Sequence, residues 1–193
     1  MHSGKLIRRR SSVPRSGLLA LWFFFVVFCG PVQAQAPQRL NLEAACLYKF
    51  IGYVDWPASA FENSASPYII GIVGTDPFNR ILDGIVEGEK INGRPIEVRR
   101  FVDGKVGNCH VAFISPSESG RVRSVLDKLK NRSVLTVSDV SGFAGEGGMI
   151  GFVTQANKIR FQINLDEAER AHLKISAKLL QLATEIVHTK SRP

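Results

Sequence analysis

The sequence predicts a single α/β domain built on a central mixed sheet, parallel in its N-terminal part, closed by an antiparallel C-terminal hairpin and flanked by helices. Three observations carry that prediction. Two short, nearly unbroken apolar runs, Tyr68–Val73 (YIIGIV) and residues 110–114 (HVAFI), read as strands buried on both faces. Stretches with helical spacing separate them, and strands alternating with helices imply a parallel sheet covered on both sides. Near the C-terminus the period changes: Ile159, Phe161 and Ile163 alternate with Lys158, Arg160 and Gln162, as in a strand with one wet face.

The first 34 residues stand apart from this pattern. Lys5, Arg8, Arg9, Arg10 and Arg15 come without an acidic residue, and an apolar run follows over residues 18–28 (LLALWFFFVVF). Gly30 and Pro31 break the run, and Val32-Gln33-Ala34 supplies the small residues that a signal peptidase needs. The run is too short for the roughly 20 residues of a membrane span. The expectation is therefore a cleaved secretory signal peptide over residues 1–34 and a working domain over residues 35–193, outside the cytoplasm. With the signal go five basic residues and no acid, so the formal charge falls from +8 to +3. The remaining 20 Lys and Arg are interspersed with 17 Asp and Glu and form no basic stripe, which argues against a nucleic-acid partner.

Along the domain, Asn41 is placed to cap a helix in which Ala44, Leu47, Ile51 and Val54 recur, with Pro57 as its end. After the strand at Tyr68–Val73, Asp76 is placed as a cap and Pro77 as the first residue of a helix running to about Val86. Asn92-Gly93-Arg94-Pro95 is turn chemistry, and residues 96–101 alternate as an edge strand would. A second cycle follows: the strand at 110–114, a polar loop at 115–120, a helix at 121–129 and a strand at 134–137. Strands at 149–154 and 158–163 make the hairpin. Asn164 with Glu167 forms a capping box, and Ser176 caps a last helix with Ile175, Leu179, Leu182 and Ile186 on one face.

No assembled catalytic group stands out. His110 opens a buried strand, His172 and His188 lie on polar stretches, and none has the spacing of a metal pair. No serine sits in a G-x-S-x-G elbow. The glycine-rich segment 142–151 feeds a strand, whereas a dinucleotide loop opens a helix, so it reads as a bend between the parallel and antiparallel halves. The expectation is a protein without enzymatic activity, cofactor or metal. In a parallel sheet, ligands bind beyond the strand ends where strand order reverses. The residues there are Thr75, Asp76, Ser115, Ser117, Ser138 and Asp139, as a polar pocket or merely as helix caps. Cys46 and Cys109 are either a disulfide formed after export or two buried thiols. Trp56 and Phe61, at the end of the first helix, are either interface anchors or part of the core.

Several segments together resemble the YfiR family of periplasmic proteins. They are residues 42–57 (LEAACLYKFIGYVDWP), Gly74-Thr-Asp-Pro-Phe78, Asn92-Gly-Arg-Pro95 and Cys109-His-Val-Ala-Phe-Ile-Ser115. Leu135-Thr-Val-Ser-Asp139, Gly142-Phe143, Gly147-Gly-Met149, Ile159-Arg-Phe-Gln-Ile-Asn-Leu165, Leu173-Lys-Ile-Ser176 and Lys178-Leu-Leu180 complete the ordered set. The resemblance implies a homodimeric, non-enzymatic repressor that holds down an inner-membrane diguanylate cyclase by periplasmic contact, lowering cyclic di-GMP and biofilm formation. It also implies an outer-membrane lipoprotein that can sequester the repressor. Family members occur beside other signalling proteins, sensor kinases among them, and the competing expectation is a periplasmic ligand-binding sensor module. The two disulfides of the family's best-known member are not reproduced: Cys109 matches one half-cystine, its partner position falls near Ile70 or Gly71, and the second pair falls in residues 142–152, which hold no cysteine.

Overall fold

Helix α1, Gln35–Ile51, opens the computed structural model, which describes residues 35–102 and 105–188. The expected signal peptide lies outside the described residues. After α1 come the short strand β1 (Val54–Asp55), β2 (Tyr68–Val73), α2 (Arg80–Val86), β3 (Lys90–Ile91) and β4 (Arg94–Phe101). Strand β5 (Val111–Ile114), a 3₁₀ turn at Pro116–Arg121, α3 (Val122–Leu129) and β6 (Leu135–Ser138) follow. The chain ends with β7 (Ile150–Gln155), β8 (Lys158–Asn164), α4 (Leu165–Arg170), β9 (Lys174–Ile175), α5 (Ala177–Leu182) and β10 (Glu185–Val187).

Eight strands form one mixed sheet in the order β10-β8-β7-β6-β5-β2-β4-β3. Strands β4, β2, β5, β6 and β7 run parallel, β8 turns back against β7, and β10 lies parallel to β8. Strand order reverses at β2, which sits between β4 and β5. Alternation along β2 divides the core. Ile70 and Ile72 join Leu47, Phe50 and Ile51 of α1 with Leu82 of α2 on one face. Ile69 and Val73 join Val122, Val125 and Leu129 of α3 on the other. Helices on both sides bury the strands, as the apolar runs require.

The expected antiparallel hairpin is formed, with Ile150–Gln155 pairing with Lys158–Ile163. Ala156 and Asn157 have φ of 47° and 58°, the left-handed pair that a two-residue hairpin needs to follow strand twist. Ile163 is fully buried, but Ile159 and Phe161 are only half-buried, with the Phe161 ring edge-on to Phe50 at 5.3 Å. Phe161→Ala is therefore expected to cost at or below the low end of the about 3–5 kcal/mol usual for a core aromatic. Arg160→Ala should cost under about 0.5 kcal/mol. Thermal melts of the two variants check this, and equal shifts would contradict the placement of the strand.

Other expectations are corrected by long-range partners. The first helix begins at Gln35, not after Asn41, because Arg39 pairs with Glu43 and with Asp139 and so holds the opening turns. Val54 leaves that helix to pair with Ile175. Asp76 caps no helix: its Oδ1 accepts from Phe78 N, its Oδ2 pairs with Arg100, and α2 starts only at Arg80. The last helix stops at Leu182, and Ile186 lies in β10, which fills the open edge of β8. Segment 142–151 joins two parallel strands, so the chain reverses one connection later, at Ala156-Asn157. That segment covers the α3 face with Phe143, packed so closely that a Cβ on Gly148 would meet its ring at 2.1 Å.

Candidate functional site

The strand ends at the reversal point are tied to one another. Thr75 N donates to Ser117 Oγ at 2.9 Å, Ser115 and Ser117 hydroxyls lie 3.3 Å apart, and Gly74 N donates to Phe101 O at 2.9 Å. Gly74 has φ +93°, and a Cβ there would lie 2.5 Å from Ser117 Oγ and 2.8 Å from Glu118 Cγ. Glu118, only 3% exposed, therefore lies packed against the turn after β2, its Oε1 paired with Arg121 at 3.0 Å. Ser138 donates to Ile114 O at 2.7 Å and accepts from Val140 N at 3.0 Å. The six residues expected there thus serve as stitching between loops. Sequence reasoning missed Glu118, which carries nothing in its spacing to mark it.

One side of this edge holds a second feature that the sequence reading did not single out. Arg39 Nε donates to Glu43 Oε1 at 2.7 Å, and its Nη2 donates to Asp139 Oδ2 at 2.6 Å. Glu43 is 0% exposed. Its Oε2 and Asp139 Oδ1 are buried without a hydrogen-bond partner. One guanidinium thus faces two carboxylates. Burial raises both carboxyl pKa values above the ordinary carboxylate range, and the charge of Arg39 only partly offsets it. The signal was available: Glu43 shares a helical face with Leu47, Phe50 and Ile51, and a charge on an apolar stripe needs a partner.

Trp56 and Phe61 are half-buried and belong to an aromatic cluster with Tyr68 and His110. Phe61 stacks on His110 with ring centroids 4.5 Å apart, and Trp56 meets Tyr68 edge-on at 5.5 Å. Arg94 lies over the outer face of Phe61 at 3.9 Å. His110 Nδ1 accepts from Ile69 N at 3.0 Å, which leaves Nε2 as the donor to Ala60 O at 3.1 Å. The ring is thus held neutral, and burial lowers its pKa. His110 works as a strut between β2 and the 58–60 turn. Among the described residues, no group of three or more His, Cys, Asp or Glu side chains could hold a metal ion.

Cys46 and Cys109 are both free. Cys46 packs on the α1 face of the sheet and Cys109 on the α3 face, so the candidate bridge between them would have to pass through the sheet. Burial pushes both thiols up to about 11. Of the two positions implied for a partner of Cys109, Ile70 packs on the α1 face, away from it, and a Cβ at Gly71 would lie 3.2 Å from Cys109 Cβ. Phe101 fills that space, its Cε2 only 2.6 Å from the same point. Cys46 is half-buried and Cys109 buried, and with no bridge between them reductant is expected to leave the melting temperature unchanged. A reductant-dependent drop would show a bridge, worth about 2–4 kcal/mol.

The chain belongs to the YfiR/HmsC-like family, whose model matches residues 40–184. The match starts inside α1 and ends just before β10, so it takes in the other seven strands of the sheet and the helices on both its faces. The family is one of periplasmic regulators in diguanylate cyclase signalling. Among the described residues, no helix is long and apolar enough to cross a membrane.

Proposed function

We propose that this YfiR/HmsC-like protein is a non-enzymatic repressor, exported by its N-terminal signal, that holds an inner-membrane diguanylate cyclase in check by contact in the periplasm. The observation that carries the reading is the family match over residues 40–184. The chemistry of the fold supports it. The serines and carboxylates at the sheet's reversal point are engaged in holding loops together, an arrangement that suits a scaffold more than a reaction centre. Contact with a partner requires exposed apolar side chains. Leu182, 57% exposed, ends α5, Ile186 lies in edge strand β10, and Leu42 is exposed on α1. These residues suit a contact better than Trp56 and Phe61, which are committed to the aromatic cluster. The repressor acts as a homodimer, and an outer-membrane lipoprotein relieves it by sequestration.

Deleting the gene is expected to raise cyclic di-GMP and surface attachment. A copy that begins at Gln35, without residues 1–34, should fail to restore control, and the full-length copy should recover it and co-purify with a membrane cyclase. Unchanged cyclic di-GMP after deletion, with no membrane partner recovered, would overturn the assignment to a cyclase. The reading as a periplasmic ligand-binding sensor module would then take its place.

A further inference from the structure

At the opposite end of the sheet from the stitched loops, the N-terminal ends of β2, β5 and β6 border an open cleft of about 500 Å³. Its apolar floor is made by Ile69, Cys109 and Val134, and Phe61 stands at one wall. Two arginines reach it from different elements, Arg99 from β4 and Arg132 from the turn between α3 and β6. Arg132 is half-buried, and its Nη2 donates to Gly107 O at 2.8 Å. That bond takes one of five guanidinium N–H donors and fixes the plane of the rest. The 58–62 wall is fixed as well, through the His110 bond to Ala60 O and the Arg94 bonds to Asn63 O and Ser66 O, both 2.8 Å.

The field on the floor is positive. Arg132 and Arg99 both pull the Cys109 thiol towards its thiolate, against the larger effect of burial. The opposing charges are few: Glu62 lines the cleft, and Glu97 pairs with Arg99 at 2.9 Å on the exposed side of β4. The volume falls within the roughly 300–1,000 Å³ of small-molecule sites, and an apolar floor with a few placed polar groups is their usual make-up. A planar guanidinium held in place matches the paired oxygens of a carboxylate or phosphate.

We infer that this cleft is a binding site for a small organic anion, with its carboxylate or phosphate head at Arg132 and Arg99 and a flat apolar body on the Ile69–Cys109–Val134 floor. The anion sits at the edge opposite the loops where strand order reverses, and the site is independent of whether the protein represses a cyclase.

Two-dimensional ¹H–¹⁵N NMR of the chain from Gln35 onward tests it with benzoate and phenyl phosphate as probes. Inorganic phosphate serves as a head without a body, and benzyl alcohol as a body without a head. Saturable shifts at the amides of Asn108, Cys109 and Ser133 are expected from at least one aromatic anion, and which one responds identifies the head. Binding should be roughly tenfold tighter than for either control, and roughly tenfold weaker in Arg132→Gln. Arg99→Gln, on an exposed strand, gives the same reading if Arg132→Gln does not fold. The inference is overturned if neither anion gives saturable shifts there, if benzyl alcohol binds as tightly, or if the folded arginine variants bind as the natural chain does. None of these outcomes bears on the gene-deletion result, so the two readings fail separately.

Discussion

Phe113→Ala is expected to destabilise the domain by about 3–5 kcal/mol, as truncation of a fully buried aromatic does. Phe113 stands on central strand β5, is 0% exposed, and meets Phe78 edge-to-face with ring centroids 4.7 Å apart. Phe78 is also fully buried, and it sits beside the Asp76 turn that the Arg100 ion pair holds in place. The truncation therefore opens a cavity among groups that cannot readily close on it, and it removes an aromatic pairing worth about 0.5–1.5 kcal/mol beyond burial. Against a total stability of about 5–15 kcal/mol this is a large fraction. Urea denaturation should show a lower midpoint with an unchanged slope. The melting temperature should fall by on the order of 10 °C. A loss under about 1 kcal/mol would mean that α2 and its preceding turn move in to fill the space, and that the face is less firmly set than the ion pair implies.

Phe113 was legible in the sequence because the run HVAFI leaves a strand no wet face. The same holds for β2, and for the hairpin, where a one-residue slip would put Lys158 and Arg160 into the core. Element ends were less legible, because distant residues decide them. The opening of α1 rests on an ion pair between Arg39 and Asp139, 100 positions apart. The spacing of Ile175, Leu179, Leu182 and Ile186 fits a helix well, yet Ile186 goes to β10. There Thr184 N donates to Phe161 O at 2.9 Å and Glu185–Val187 pair with Gln162–Asn164, satisfying backbone groups that the edge of β8 would otherwise leave unpaired.

At the reversal point, topology placed Thr75, Ser115, Ser117 and Ser138 together correctly, but residue type alone does not distinguish a lined pocket from a laced one. What decides is Gly74: its positive φ brings the turn against Ser117 and Glu118. The cleft at the other edge was less visible still. Arg99 and Arg132 are 33 positions apart, on a strand and a turn, and no local pattern joins them.

The second large effect concerns Arg39. Two carboxyls, Glu43 and Asp139, face this one guanidinium, and Cys46 is the other titratable group that Glu43 influences. Breaking a wholly buried ion pair costs about 3–5 kcal/mol, because the surviving charge has no partner. Arg39 is 44% exposed, so water supplies part of its role, and Arg39→Ala is expected to cost about 2 kcal/mol at pH 8. The sign of the pH dependence follows from the raised carboxyl pKa values. Such groups favour the fold fully below their unfolded values, about 4–4.5, and this contribution is lost as pH rises through the folded values. Removing Arg39 raises the folded values further, so the variant should regain part of its loss at pH 5, where the carboxyls take up protons. Glu43→Gln should do the opposite: it leaves one carboxylate for one guanidinium and reduces the difference in stability between pH 5 and pH 8. Urea midpoints at the two pH values for both variants decide the matter. If Arg39→Ala loses as much at pH 5 as at pH 8, and Glu43→Gln keeps the natural pH dependence, the buried carboxyls are not what sets the pH response of α1.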